Sequence, residues 1–336
     1  MSQLSNLFFS QLNKQTSPST EVCGRYAPSP TGSLHFGNLR TALIAWLQTR
    51  LANGRFILRI EDIDLPRTRA GSALQIIDDL KWLGLNWDEG PDIPGKHAPY
   101  TQSERFELYQ SALNHLKEAG LLYKCFCSRK DIALAASAPH ASDQRSIYPG
   151  TCRGKKLNHE EAPLPKQASL RFICPEKVIS FNDIVLGKQH CRLQHDVGDF
   201  VIKRADGLFS YHLAVILDDA LMEVSDVVRG EDLLSSTAQQ ILLLDTFNLA
   251  VPNYWHIPLV LDKMTGKRLS KRDGALSIEH FREQGLDAAD LIGQLSASIG
   301  LVPLNSKLSA QELLEEIDSD QLLQCLKQSS RTQPKQ

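Results

Sequence analysis

His35 is the first residue of the chain whose surroundings predict chemistry. It lies in residues 28–37, a loop between an expected strand and an expected helix. The first N–H groups of a helix have no partner within the helix, and the helix dipole favours an anion there, so the loop predicts a phosphate site. Neither familiar nucleotide loop fits, because Asn38 and Leu39 replace the Lys and Ser/Thr of a P-loop and G-x-G-x-x-G is absent. The alternative is a histidine that only hydrogen-bonds the helix start.

A second candidate is the basic segment of residues 263–272, in which five of ten residues are Lys or Arg. A solvated surface loop is one interpretation. A cationic, glycine-containing loop after a parallel strand also suits an enzyme that handles a triphosphate, because such an enzyme must stabilise charge on the phosphates. The segment therefore becomes a catalytic candidate only together with the His35 loop.

Three cysteines form the third candidate, Cys125 and Cys127 in a C-x-C pair and Cys152 downstream. Free cysteines are often small buried hydrophobic residues, but this spacing in a glycine- and proline-containing region favours one structural zinc ion. From the residues alone, His140 and His159 are both candidates for a fourth ligand, since imidazole is the commoner partner of thiolates.

The elements that must position these groups follow a strand, helix, strand pattern. Residues 22–27 and 56–60 read as strands, and between them residues 38–51 carry apolar side chains at helical spacing. Such a unit normally forms a parallel sheet, so we expect an α/β fold. Further segments are assigned by the same patterns: helices at 72–83, 103–119 and 236–247, strands at 224–229 and 257–261, and only helices beyond 277.

An insertion interrupts this alternation. Residues 169–173 and 178–184 read as strands, and residues 200–204 and 208–211 flank an Asp-Gly turn as a hairpin. The expected organisation is an N-terminal extension (1–20), a first catalytic half (21–120), a zinc-binding insertion (121–205), a second catalytic half with the basic loop (206–275) and a helical region (276–330).

Composition excludes several classes of protein. The 336 residues are 42% hydrophobic and 23% charged with a formal net charge of −2, which is typical of a globular protein and unlike a non-specific nucleic-acid coat. No apolar stretch is long enough to span a membrane, and the start of the chain lacks the features of a signal peptide. Seven mostly scattered cysteines favour a reducing compartment, so we expect a cytoplasmic protein.

Three motifs together resemble the class I aminoacyl-tRNA synthetases of the glutamyl type. The stretch from Gly24 to Asn38 and the run Arg59-Ile60-Glu61-Asp62 lie in the first catalytic half, and a third motif lies in the basic loop. The resemblance covers about residues 24–274. The HIGH-like motif is His35, Phe36, Gly37 and Asn38, and the KMSKS-like motif is Arg268, Leu269, Ser270, Lys271 and Arg272.

The resemblance implies a Rossmann-like catalytic domain that joins L-glutamate to ATP, with Mg²⁺, as glutamyl-adenylate and then transfers glutamate to an RNA hydroxyl. It implies His35 and Lys271 as catalytic residues, with Gly37 and Asn38 also at the ATP. Two guanidinium groups and a carboxylate suit the two carboxylates and the ammonium of glutamate. The implied glutamate pocket consists of Arg25, Ala27, Ser29, Glu61, Tyr211 and Arg229.

The resemblance also bears on the metal and the RNA. Short glutamyl-synthetase-like proteins imply Tyr148 as the fourth zinc ligand and an acceptor-type role for the insertion. After Arg272 the chain is short, and residues 311–325 carry five carboxylates and no Lys or Arg, as an acidic helix that repels phosphates. We therefore expect no anticodon-binding domain. In lacking this domain, and in its cysteine cluster, the chain resembles the glutamyl-Q tRNA(Asp) synthetases.

That family attaches glutamate to the queuosine base in the anticodon of tRNA(Asp), and we expect this activity from a monomer that does not contact membranes. The first alternative is a compact glutamyl-tRNA synthetase that charges the 3′ end of tRNA(Glu). The second is a non-catalytic RNA-binding paralogue, against which the intact His35, Lys271, Arg25 and Glu61 argue.

Overall fold

A parallel sheet of four strands lies at the centre of the computed structural model, in the order β2-β1-β8-β9. The structure describes residues 21–128, 130–132, 147–154, 167–260 and 278–332. Within these residues the strands are β1 (Cys23–Tyr26), β2 (Arg55–Leu58), β3 (Leu122–Cys125), β4 (Ser169–Phe172), β5 (Val178–Asp183), β6 (Gly187–Arg192), β7 (Phe200–Lys203), β8 (Asp226–Gly230) and β9 (Asn253–Ile257). The parallel pairing confirms the α/β prediction.

Nine α-helices accompany these strands in the described residues, and the described part of the chain beyond residue 277 is helical, as predicted. No described helix has the length and apolar character needed to cross a lipid bilayer. The helices are α1 (Phe36–Leu51), α2 (Ser72–Trp82), α3 (Phe106–Glu118), α4 (Tyr211–Leu221), α5 (Leu234–Thr246), α6 (Ile278–Glu283), α7 (Ala288–Ala297), α8 (Ala310–Glu316) and α9 (Ser319–Thr332).

Helix α1 is the crossover between β1 and β2 and is buried on nearly all sides. It lies so close to β1 that a Cβ at Gly24 would stand 1.9 Å from the Thr49 hydroxyl, so glycine is required there. On its other side, Leu295 of α7, Leu313 of α8 and Leu326 of α9 belong to the same hydrophobic cluster as α1. The C-terminal helices therefore hold in place the helix that carries the HIGH-like motif.

The chain between α3 and α4 forms two small antiparallel sheets. Strands β3, β4 and β7 make one, and the hairpin of β5 and β6 makes the other. The hairpin is anchored on the parallel sheet, because the N–H of Ile184 donates to the carbonyl of Tyr254 in β9. The insertion is thus connected directly to the last strand of the catalytic sheet.

Three sequence predictions are wrong in detail. The strand predicted at 208–211 is only a single bridge between Lys203 and Phe209, because Ser210 caps α4 by accepting from the Leu213 N–H. The strand predicted at 257–261 instead ends at Ile257. Pro258 follows and has no N–H with which to continue the ladder. The acidic segment forms two helices rather than one, since the backbone is extended at Ile317.

Candidate active site

A cavity of about 540 Å³ opens at the carboxyl ends of β1 and β8. The chain continues from β1 to β2, which pairs with one edge of β1, while β8 pairs with the other edge. The cavity therefore lies where the strand order reverses, which is the usual position of the ligand crevice in such sheets. The KMSKS-like residues 268–272, including Lys271, lie outside the described residues. The sequence-predicted residues that line the cavity are Arg25, Ala27, Ser29, His35, Gly37, Asn38, Glu61, Tyr211 and Arg229.

The two arginines of the predicted glutamate pocket are buried and held by hydrogen bonds. Arg25 donates from Nε to Asp219 at 3.3 Å and from Nη1 to the Val228 carbonyl at 3.2 Å. Arg229 donates to three uncharged groups: Gln240 at 2.7 Å, Thr237 at 2.9 Å and His256 at 3.0 Å. Both guanidinium groups therefore enter the cavity wall in fixed orientations.

Arg59 and Asp219 organise the pocket from behind, and neither was assigned a role from the sequence. Arg59 is fully buried and donates to Glu61 at 3.0 Å, and its Nη1 lies 2.7 Å from the Asp219 carboxylate. Asp219 also accepts from Arg25. One continuous network thus joins Arg25, on β1, to Glu61, beyond β2. A signal was present, because Asp218 and Asp219 interrupt an otherwise apolar helix.

The pKa values of the two carboxylates in this network, Glu61 and Asp219, are shifted in opposite directions. Burial raises the pKa of Glu61, and the opposing effects of Arg59 and Arg25 do not fully offset it. Burial also acts on Asp219, but there Arg25 and Arg59 hold the pKa below its usual range. The surrounding guanidinium groups therefore favour ionised Asp219, whereas burial disfavours the ionised form of Glu61.

His35 occupies the N-cap of α1, as expected for a residue at the helix start. Its Nδ1 accepts from the Asn38 N–H at 3.4 Å, which leaves Nε2 directed away from the helix. A Cβ at Gly37 would lie 3.3 Å from the imidazole, closer than side chains normally approach. Gly37 therefore leaves room for the ring beside the cavity. Phe36 does not line the cavity and instead packs near Phe281.

The three cysteines predicted to bind zinc converge. Cys125, Cys127 and Cys152 have sulfur atoms that all lie within 4.8 Å of one another, with Cys127 and Cys152 at 3.6 Å. Tetrahedral Zn–S bonds of about 2.3 Å imply sulfur separations of about 3.8 Å, so the set fits zinc. The Tyr148 hydroxyl lies 3.4 Å from Cys125 and 3.7 Å from Cys127.

The arrangement around Tyr148 is compatible with the ligand that the family resemblance implies. The guanidinium of Arg171 stacks on its ring at 3.9 Å, and the Cys152 N–H donates to its oxygen at 2.8 Å. Although burial opposes it, hydrogen bonding with Tyr148 and Arg171 lowers the pKa of Cys125, which favours a thiolate. Burial raises the pKa of Cys127 and of Tyr148, so neither of these two groups is favoured as an anion before a metal binds. The alternative ligands His140 and His159 lie outside the described residues.

Comparison with known proteins identifies the family. Residues 21–329 match the family described as class I tRNA synthetases (E and Q), catalytic domain. The chain belongs to this family. As a class I synthetase it is an enzyme of the ligase type, and its parallel sheet is the catalytic domain that the HIGH-like motif predicted.

The relatives to which this synthetase is similar include proteins named glutamyl-Q tRNA(Asp) synthetase and proteins named glutamate–tRNA ligase. It is 49% identical over 303 residues to the glutamyl-Q tRNA(Asp) synthetase of Symbiobacterium thermophilum, covering 88% of this chain and 92% of that one. It is 44% identical over 277 residues to glutamate–tRNA ligase 2 of Acidithiobacillus ferrooxidans, covering 81% of this chain but 57% of that one.

Comparison with solved structures supports the same family. The crystal structure of the glutamate–tRNA synthetase from Elizabethkingia anophelis superposes with a TM-score of 0.76 at 31% identity, covering 90% of this chain. This synthetase spans 66% of that protein's length.

Proposed function

We propose that this synthetase activates L-glutamate with ATP and transfers it to the queuosine base in the anticodon of tRNA(Asp). The observation that carries the first half is the convergence of Arg25, Arg229 and Glu61 on one cavity. The second half is supported by the similarity to glutamyl-Q tRNA(Asp) synthetases over 92% of the length of one such relative.

Recognition of glutamate follows from the charges of the pocket. Two buried guanidinium groups bind two carboxylates, because planar N–H donors match a carboxylate and the buried setting strengthens the contact. Glu61 lines the cavity and is the carboxylate that receives the substrate ammonium. Ala27 and Ser29 follow β1 and line the cavity, and Tyr211 lines it from the start of α4.

Activation needs no general base, since the glutamate carboxylate is already ionised at neutral pH. Its oxygen attacks the α-phosphorus of ATP, a C–O–P linkage forms, and the bond from the α-phosphorus to the bridging oxygen breaks as pyrophosphate leaves. Catalysis is then alignment and stabilisation of phosphate charge. We assign these roles to His35 and Lys271, with Gly37 and Asn38 beside the nucleotide. Mg²⁺ bound to the incoming ATP would supply further positive charge for the phosphate oxygens.

Transfer completes the reaction. A hydroxyl oxygen of the modified base attacks the activated carbonyl, an ester forms, AMP leaves, and the hydroxyl proton is released. The insertion is the part of the chain that we assign to the RNA, and the zinc ion held by Cys125, Cys127, Cys152 and Tyr148 would fix its fold. A structural zinc ion supplies folding free energy rather than chemistry.

A second candidate is a compact glutamyl-tRNA synthetase that charges the 3′ end of tRNA(Glu). The 44% identity to a glutamate–tRNA ligase favours it, since that similarity runs through the catalytic region. The two candidates share every activation step and differ only in the acceptor hydroxyl. Transfer of labelled glutamate to the two RNAs distinguishes them.

The activation half is tested by glutamate-dependent exchange of pyrophosphate into ATP, measured with and without tRNA. We expect exchange in the wild type and its loss in Lys271→Ala. Exchange at the wild-type rate in Lys271→Ala would remove this lysine from the mechanism. A wild type that shows no exchange under either condition would contradict glutamate activation itself.

A further inference from the structure

Asp183 and His256 form a fully buried pair that none of the steps above uses. Asp183 ends β5 in the inserted hairpin, and His256 lies on β9 of the catalytic sheet. Their side chains meet at 2.6 Å, between His256 Nδ1 and Asp183 Oδ2. The same carboxylate accepts from the backbone N–H of Leu186 at 2.8 Å and of His256 at 3.2 Å. The pair therefore ties the turn of the hairpin to the sheet.

The partners of the imidazole determine its protonation. A carboxylate can only accept from Nδ1, and the Nε–H of Arg229 can only donate to Nε2, at 3.0 Å. His256 is therefore neutral with its proton on Nδ1. Burial, which lowers the pKa of His256, supports this assignment. An imidazole polarised by a carboxylate on one side is a stronger acceptor on the other.

The position of the pair explains how Arg229 is held without being neutralised. Its three side-chain partners, Gln240, Thr237 and His256, carry no charge. Asp183 reaches the guanidinium only through the imidazole, so it polarises the contact without forming an ion pair with Arg229. The Arg229 cation thus keeps a fixed orientation and remains available to an anionic ligand in the cavity.

We propose that Asp183 and His256 are positioning residues that orient Arg229 for the substrate carboxylate and connect the inserted hairpin to the amino-acid pocket. This rests on the proposed glutamate pocket, to which Arg229 belongs. Neither residue touches the substrate. Their effect is therefore on affinity for glutamate, with ATP affinity left nearly unchanged.

The experiment measures the Kd for L-glutamate and, separately, for ATP by calorimetry, and the Tm of each variant. His256→Asn removes the acceptor that faces Arg229, and we expect the glutamate Kd to rise about tenfold while the ATP Kd stays within about twofold. His256→Gln places an amide oxygen near the position of Nε2 and should restore most of the affinity. Asp183→Asn should raise the glutamate Kd in the same direction.

His97→Asn is the matched control, because it breaks another buried histidine–carboxylate pair, His97 with Glu89 at 2.8 Å, and neither residue lines the cavity. We expect it to lower the Tm without changing the glutamate Kd. If Arg229→Gln abolishes glutamate binding but His256→Asn leaves it within twofold of the wild type, the positioning role is wrong. If the wild type itself does not bind glutamate, the proposed function fails instead.

A measurement on the wild type keeps the inference testable if the variants do not fold. Histidine ¹⁵N spectra should show His256 with a proton on Nδ1 and a bare Nε2, and its Nε2 signal should move on addition of glutamate. A proton on Nε2, or a signal unmoved by saturating glutamate, would overturn the proposal.

Discussion

Glu61 and Glu89 are both buried carboxylates, but their surroundings shift the two pKa values in opposite directions. Burial leaves the pKa of Glu61 raised despite Arg59 and Arg25. At Glu89, burial is overcome by hydrogen bonds from Tyr100, His97 and Arg55, which lower its pKa to about 2. We therefore expect Glu61 to bind a charged group of the ligand, whereas Glu89 already has its hydrogen-bond partners within the protein.

This contrast predicts different results for Glu61→Gln and Glu89→Gln. A raised pKa means that ionised Glu61 costs stability as the pH rises above the ordinary value of 4.5, so Glu61→Gln at pH 7 should keep or raise the Tm. Its Kd for glutamate should rise at least about tenfold, because the ammonium loses a charged partner.

Glu89→Gln is the control. A lowered pKa means that ionised Glu89 stabilises the fold above pH 4.5, and that this stability is lost as the pH falls towards 2. Calorimetric binding and thermal unfolding at pH 7 should therefore show a lower Tm with unchanged glutamate affinity. A lower Tm and normal affinity in Glu61→Gln would contradict the role assigned to Glu61.

At the scale of elements, His35 caps the start of α1, and this cap can be separated from the catalytic role that we propose for the same residue. Asn is a good N-cap and can replace the acceptor that His35 offers to the Asn38 N–H, but it lacks the imidazole Nε2. We expect His35→Asn to keep the Tm and to lower pyrophosphate exchange about 100-fold. His35→Ala should lose the same activity and, in addition, about 1 kcal/mol of stability. Normal exchange in His35→Asn would make His35 a structural cap only.

The cluster of Cys125, Cys127 and Cys152, for which we propose a zinc ion, also acts between elements, since it joins the end of β3 to residues 147–154. We expect metal analysis to find zinc in the wild type but not in Cys125→Ser, and we expect this variant to have a lower Tm, because a bound structural metal contributes to folding. Cys191→Ser is the control: it changes a half-buried cysteine on β6 outside the cluster and should retain the metal. Full zinc content in Cys125→Ser would contradict the ligand assignment.

Prediction from the sequence succeeded where local patterns decide the outcome. The spacing of apolar residues located α1, and the motifs that carry Arg25, His35 and Glu61 indicated residues that the structure brings to one cavity. It failed where distant residues decide. Asp219 and His256 act through partners far away in the chain. The two acidic residues in α4 mark Asp219 as unusual, but no local pattern shows that it contacts Arg25 or that His256 contacts Arg229.

For the whole molecule, one arrangement links amino acid, nucleotide and RNA. The residues proposed to bind glutamate share a cavity at the carboxyl ends of β1 and β8 with His35, Gly37 and Asn38, and the insertion is joined to the last strand of that sheet through Asp183. The acidic residues of α8 and the start of α9, namely Glu312, Glu315, Glu316, Asp318 and Asp320, are exposed on helices that pack against α1. Their charge disfavours RNA there, so we expect the RNA to approach the face that carries the cavity and the insertion.

The RNA that accepts glutamate is identified most directly by transfer of labelled L-glutamate to tRNA(Asp) prepared with and without queuosine. With ATP and Mg²⁺ present, we predict labelling of the queuosine-containing tRNA(Asp) and none of its queuosine-free counterpart or of tRNA(Glu). Equal labelling of the two forms of tRNA(Asp), or labelling of tRNA(Glu) instead, would contradict the proposed acceptor.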